Sequence, residues 1–296
     1  MSDKEVIIRT AAEIASKISA SAIIIMSDDI SPDLEVDIPV LIASPNAMMA
    51  VCPAFEDEKV EDEKKPAEKL QTLSKTLYHK VSTGTEYIND ASATAFINDL
   101  LSGEKVVGVI SYGGTSSILI HDLKENNMVK ELKSCTERVK LDALRSVLSI
   151  AMGLGAYGRE GKPVATAFII GDSEEVMKRS HQLVLNPYLG HSPEVSYICD
   201  TNTWETVKEF SQLDGVFILD GDGYVQAGGR YLDVNAREVL TMKGLGGRHA
   251  SAAAITRDTE AVAVTVSESD GVVRVYRDGI QILELDPRVS KLSLYS

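Results

Sequence analysis

Cysteine is scarce in this 296-residue chain, which holds only Cys52, Cys135 and Cys199. They are far apart and odd in number, so no disulfide framework or cysteine-ligated metal spacing is on offer, and buried, reduced thiols are the expected state. Basic charge is short as well: 30 Lys and Arg stand against 44 Asp and Glu, for a net charge of −14. Such a chain lacks the broad basic surface that nonspecific nucleic-acid binding needs, although a compact basic pocket is still allowed. Long apolar runs are missing. The longest, such as Ala20 to Met26, is too short to cross a bilayer. No signal pattern opens the chain, since Asp3, Lys4 and Glu5 lead directly into a helical period. The expectation is a cytoplasmic protein with no membrane and no nucleic-acid partner. There are no clear internal repeats.

What is present is an ordinary globular composition, 44% hydrophobic and 25% charged, long enough for one large or two ordinary domains. Residues 3–19 carry Val6, Ile7, Ala11, Ile14, Ala15 and Ile18 near helical spacing, and short buried strands are predicted at 22–26 and 39–43. Residues 56–69 are almost all charged and read as solvated. A helix is predicted over 91–101 and strands over 106–110 and 117–120. This alternation implies a small α/β domain over 1–127, whose order faintly resembles the C-terminal domain of pyruvate kinase. The polar stretch 128–138 is the expected linker. The second domain, 139–296, should be a mixed-sheet α/β unit. It has helices at 140–152 and 173–185, a strand at 164–170, paired strands at 216–219 and 224–227, and closing strands at 261–266 and 272–276.

Several motifs carry chemistry only in context. Gly153-Leu154-Gly155-Ala156-Tyr157-Gly158 spells GxGxxG, but a dinucleotide fingerprint needs a strand before it and here a helix precedes it. A helix C-terminus ending in glycines is the better reading. Asp220-Gly221-Asp222-Gly223 could suggest calcium, but the twelfth position of such a loop is Tyr231, so a hairpin turn wins. The four histidines His79, His121, His181 and His191 show no ligand spacing. Two segments stand out. Leu213-Asp214-Gly215 leads straight into an apolar strand, where the carboxylate of Asp214 can hold a divalent metal. Some thirty residues on, Gly246-Gly247-Arg248-His249-Ala250-Ser251 opens a helix expected over 250–255. Glycine N–H groups, the helix dipole, the Arg248 guanidinium and the Ser251 hydroxyl can together grip a phosphate. His249 can serve the same anion or be a satisfied core histidine. Glu268, between Ser267 and Ser269 at a strand end, can be a rim ligand or a solvated turn residue.

This pairing resembles the diadenylate cyclase family, which carries an Asp-Gly-Ala and an Arg-His-Arg motif at about this separation. The segments Gly223 to Leu232, Val264 to Gly271, Gly158 to Val164 and Phe168 to Asp172 fit too, so the resemblance covers roughly residues 140 to 280 and is closest to the soluble archaeal-type enzymes. It implies a nucleotidyltransferase that condenses two ATP into cyclic di-AMP and two pyrophosphates, with Mn²⁺ or Mg²⁺ as cofactor and a homo-oligomer pairing two catalytic faces. By the same resemblance Asp214 serves the metal and the ribose 3′-hydroxyl, and Gly215 admits the nucleotide. Leu213 and Leu232 contact adenine, Gly246, Gly247, Arg248, His249 and Ser251 hold phosphates, and Ser267 and Glu268 complete the ATP site. Asp214, Arg248 and His249 form the catalytic set. The chain departs from the family at Val216, where alanine is usual, and at Ala250, where a second arginine is usual; Arg230 or Lys243 could compensate. The alternative is a degenerate sensor that binds ATP or cyclic di-AMP without turnover.

Overall fold

The structure, a computed structural model, describes residues 3–26, 38–43, 84–101, 103–112, 115–236, 239, 246–287 and 292–295. The chain forms two compact units, Met1–Val129 with Val289–Ser296, and Lys130–Arg288.

The first unit contains α1 (Asp3–Lys17), β1 (Ala22–Met26), β2 (Val40–Ala43), α2 (residues 84–97), β3 (Lys105–Tyr112), β4 (Thr115–Asp122) and a last strand, β12 (Leu292–Tyr295). Its sheet runs β12-β2-β1-β3-β4, parallel at β1–β2 and β1–β3 and antiparallel at both edges. β1 is buried at every position, as its AIIIM sequence demands of a central strand covered on both faces. Ile8, Ala11 and Ala15 repeat at helical spacing along α1 and pack into one core with Ile23, Ile25, Val107 and Val109. The charged stretch 56–69 lies outside the described residues.

The second unit follows through α3 (Asn127–Ser134) and a 3₁₀ turn at Cys135–Glu137. Then come α4 (Leu141–Tyr157), β5 (Thr166–Ile170), α5 (Ser173–Lys178), β6 (Ser180–Gln182), α6 (Trp204–Phe210), β7 (Val216–Leu219) and β8 (Val225–Leu232), and finally α7 (Gly247–Asp258), β9 (Val262–Val266), β10 (Val273–Arg277) and β11 (Ile280–Leu285). The sheet order is β11-β10-β9-β5-β7-β8-β6, parallel only at β5–β7. α7 is rich in alanine, and Ala252, Ala253 and Ile255 sink into a core with Ala167, Ile169, Val216, Ile218, Leu232 and Tyr276. The small side chains let the helix lie close to the sheet.

The architecture departs from the expected boundaries in four places. The helix expected over 91–101 spans residues 84–97. Residues 128–138 are a helix and a 3₁₀ turn, not a polar linker, because Val129, Leu132 and Cys135 are buried at helical spacing between charged neighbours. Residues 292–295 pair with β2 and so belong to the first unit, not to the 139–296 domain. The helix expected over 173–185 ends at Lys178, where the Ser180 hydroxyl returns to Val176 O and the chain turns into β6 against β8. The Asp220–Gly223 turn is the expected hairpin: one Asp220 carboxylate oxygen accepts from the N–H groups of Asp222 and Tyr224.

Candidate functional site

Asp214 is placed by a bulge. Val216 pairs with Arg230 and Ile218 with Ala227, so β8 carries one extra residue there and the chain before β7 is re-aimed. Gly215 sits at φ +105°, and a Cβ on it would come within 2.6–2.7 Å of the Gly229 and Arg230 backbone. Only glycine fits, and it leaves Asp214 exposed at the strand entrance.

α7 supplies the opposite wall. Its N-cap is Gly246, with no side-chain cap and no acidic residue in the first turn. Its first free N–H groups and positive dipole end are therefore left for an anion. A Cβ at Gly246 or Gly247 would meet nothing within 4 Å, so the approach is open. Arg248 follows, half-buried, and makes no hydrogen bond or ion pair among the described residues.

The third wall is the turn joining β9 to β10. Ser267 N–H donates to Val272 O, Gly271 N–H to Ser267 O, and Val272 N–H to Asp270 Oδ1. α4 props this turn from below. A Cβ on Gly155 would fall 2.1 Å from Gly271 O, and one on Gly271 would fall 2.2 Å from Gly155 O. α4 ends at Tyr157 with Gly158 as its C-cap at φ +63°, its N–H donating to Leu154 O, so the glycine motif is the helix C-terminus expected of it, and Gly155 lies in the last turn. It is the point where helix and turn backbones touch.

These walls enclose a cavity of about 590 Å³ lined by Asp214, Gly215, Leu232, Gly246, Gly247, Arg248, His249, Ser251, Ser267 and Glu268. That size suits one small-molecule ligand. Leu213 does not line it: its N–H donates to Phe210 O, closing the turn that ends α6. Leu183 and Leu232 form the apolar wall instead. Sequence reasoning passed over Ala165, Leu183, Tyr231, Val266, Ser269 and Asp270, and named Arg230 and Val216 only in passing; all line the cavity. Arg230 is pinned from behind, Nε donating to Ser180 Oγ at 2.9 Å and Nη2 to the carbonyls of Met177 and Ser180. Lys243 lies outside the described residues, as does His79. Val216 is buried in the core with Leu232 and Ala252, which absorbs its extra bulk.

His249 combines both readings left open for it. It lines the cavity, yet its Nδ1 lies 2.9 Å from Thr265 Oγ1 and 3.1 Å from the Tyr276 hydroxyl. Burial, then the charge of Arg274, outweigh Asp270 and push the imidazole down to about 4. Burial pushes the Tyr276 phenol up to about 12, so both oxygen partners keep their protons. A neutral ring has one N–H to give, at Nδ1 toward these oxygens or at Nε2.

The walls assemble opposed chemistry in one place: a helix N-terminus with a free guanidinium for an anion, an apolar side, and carboxylates at the rim. They define an α/β domain with an anion-accepting ligand cavity. Residues 154–281 match the family model DAC, described as DisA bacterial checkpoint controller nucleotide-binding. Residues 6–124 match DacZ_A, described as a probable sensor domain; pyruvate kinase is not among these matches. A diadenylate cyclase from Methanocaldococcus jannaschii is 38% identical over 200 residues, covering 65% of this chain and 63% of that protein. One from Haloferax volcanii is 38% identical over 179 residues, covering 60% and 65%. The matched region thus spans a little under two thirds of each relative's length. Among solved structures, a hypothetical membrane spanning protein from Bacillus cereus aligns at 13% identity and TM-score 0.40, covering 54% of this chain and 72% of that one. A double cysteine mutant of DacA from Staphylococcus aureus aligns at 19% and 0.31, covering 51% and 87%. Likenesses this distant carry no weight below. Among the described residues no helix is long and apolar enough to cross a membrane.

Proposed function

We propose that the chain is a diadenylate cyclase, joining two ATP into cyclic di-AMP with release of two pyrophosphates. The observation that carries the proposal is the single cavity in which Asp214, the Gly246–Arg248 helix start, Ser251, Ser267 and Glu268 meet from distant parts of the sequence. The relatives named above support it.

In this reading the triphosphate lies on the α7 N-terminus, held by backbone N–H groups, Arg248 and the Ser251 hydroxyl. His249 adds a neutral donor. Leu183, Tyr231 and Leu232 offer an apolar seat to the base. The Asp214 carboxylate accepts from the ribose 3′-hydroxyl, orients its oxygen toward the α-phosphorus of the second ATP, and takes the hydroxyl proton as that oxygen attacks. That oxygen–phosphorus bond forms as the bond from the α-phosphorus to the bridging oxygen of the β-phosphate breaks, and pyrophosphate leaves. The same exchange at the other phosphorus closes the ring. Positioning and charge stabilisation dominate such a transfer.

For a divalent ion the donors are hard oxygens, and no cluster of three or more ligating side chains occurs among the described residues. That fits Mn²⁺ or Mg²⁺ held by Asp214 together with substrate phosphates, where it would neutralise developing phosphate charge.

One chain offers one such cavity among its described residues, and the product needs two opposed nucleotides. The cavity mouth is apolar at Leu183 and Tyr231, which line it while being 48% and 54% exposed; Leu185 and Leu189, outside the lining on the loop that follows Leu183, are 93% and 81% exposed. A second copy meeting this rim across a two-fold axis would cover it and bring two cavities face to face.

The deciding experiment is incubation with ATP and Mn²⁺ or Mg²⁺ and mass analysis of the products. Cyclic di-AMP is expected. ATP binding without product would favour the degenerate sensor, for which the replacement of an arginine by Ala250 in the first turn of α7 is the supporting observation.

A further inference from the structure

Register places an unusual residue beneath the cavity. Arg274 on β10 stands directly opposite Thr265 on β9 and Glu284 on β11, so the three share one row on one face of the sheet. Arg274 is buried, 7% exposed, in the middle of that row. Its Nε donates to Glu284 Oε2 at 3.0 Å, and its Nη2 lies 3.7 Å from Asp270 Oδ2. Its backbone carbonyl accepts from Thr265 Oγ1 at 3.4 Å, the same hydroxyl that bonds His249. Its Nη1 is buried with no partner. A buried guanidinium is costly unless its partners are held in place, so a sheet that keeps one here gains something from its position.

We propose that Arg274 is a positioning residue of the ligand cavity, its guanidinium fixing the Asp270 carboxylate at one edge and bearing on the charge of the His249 imidazole at the other. Asp270 ends the turn that forms the third wall, and its own bond to Val272 N–H anchors only one of its oxygens. Arg274 draws on the other and ties the turn to the middle of the sheet. At the same time it sets the charge around His249. The groups facing that ring are Arg248 on its own helix, Thr265 on β9, Arg274 and Tyr276 on β10, and Asp270 in the turn. Burial and the two guanidiniums disfavour imidazolium, and Asp270 alone favours it. Without Arg274 the Asp270 carboxylate would act on the ring opposed only by burial and Arg248. His249 would then take up its proton at a higher pH than it does in the wild type. Arg274 thereby adds to burial in disfavouring imidazolium and holds the rim turn in place.

The importance of this for nucleotide binding rests on the function proposed above; the charge coupling does not, and the test separates them. The ligand-free, full-length protein is labelled with ¹³C at histidine, His249 is assigned by loss of its signal in H249Q, and its titration is followed by NMR. Wild-type His249 should stay neutral down to about pH 5. Arg274→Gln should raise its midpoint by about one pH unit, a tenfold gain in proton affinity, and Asp270→Asn should lower it. The ratio of ATP affinity at pH 5.5 to that at pH 7.5 should differ several-fold between R274Q and wild type, the titration of the ATP phosphates being common to both. If R274Q does not fold, Arg274→Met, which keeps the apolar stem and removes the charge, is read in its place. A midpoint that D270N leaves unmoved or raises would overturn the proposal, as would a folded R274Q or R274M that titrates like wild type. A purely structural Arg274 would lower the melting temperature and leave the midpoint of its own variants where the wild type has it. Wild-type protein that shows the titration but never binds ATP would instead sink the nucleotide reading.

Discussion

The proposed function gives Asp214 and Arg248 different work, and single substitutions separate them. Asp214→Asn keeps the shape and removes the charge, so it should abolish cyclic di-AMP formation while leaving the melting temperature within a degree or two. Near-normal turnover would exclude Asp214 as the metal or hydroxyl partner. Arg248→Ala should cost about 2 kcal/mol of ATP binding, roughly a thirtyfold loss by calorimetry, because Arg248 has no protein partner among the described residues to leave stranded. At this scale the sequence was informative where chemistry is local. Asp-Gly before a strand and Gly-Gly-Arg at a helix start each advertise themselves through backbone requirements. Leu213 lies outside the cavity lining, where Leu183 and Leu232 give the apolar side. Tyr231 and Arg274 were silent because cross-strand register, which no local pattern encodes, places them, and Asp270 because its turn is fixed by Val272 N–H and Arg274.

At the scale of elements, the two glycines inside α4 predict opposite outcomes. Gly153 has nothing within 4 Å of a built Cβ, so Gly153→Ala should leave stability unchanged or raise it by up to about 1 kcal/mol through helix propensity. Gly155→Ala drives a methyl into Gly271 O and should both lower the melting temperature and impair ATP use, since the displaced turn lines the cavity. Loss of stability with intact ATP affinity would show that α4 does not set the turn. In the first unit, burial and then Glu86, one turn earlier on α2, push Asp90 up to about 6. Between the ordinary 3.8 and that value the folded form binds more protons than the unfolded one, so α2 loses stability as pH rises through this window. Asp90→Asn should therefore slow amide exchange across α2 at pH 7.5 and not at pH 4; equal effects at both would exclude the carboxylate as the source. Strong periodicity made α1, α4 and β1 legible. α6, β6 and β11 were not, because short elements are fixed by their tertiary partners more than by their own pattern.

For the whole molecule, the apolar rim sets the expectation that activity is a property of the pair. Specific activity should rise with protein concentration, and Leu189→Asp should push that rise to higher concentrations without changing ATP affinity. Full turnover in a sample shown to be monomeric by light scattering under assay conditions would overturn the face-to-face arrangement. The two-unit division was legible from alternation and from the family motifs, but its closure was not, because β12 pairs across nearly the whole length of the chain. That strand has a consequence for biosynthesis. A ribosome releases α1 through β4 early and β12 only after the entire second unit has emerged. Until then β2 carries an open edge, ready to take up any extended chain nearby. The first unit is thus begun first and sealed last, and its completed sheet reports that everything between has been made.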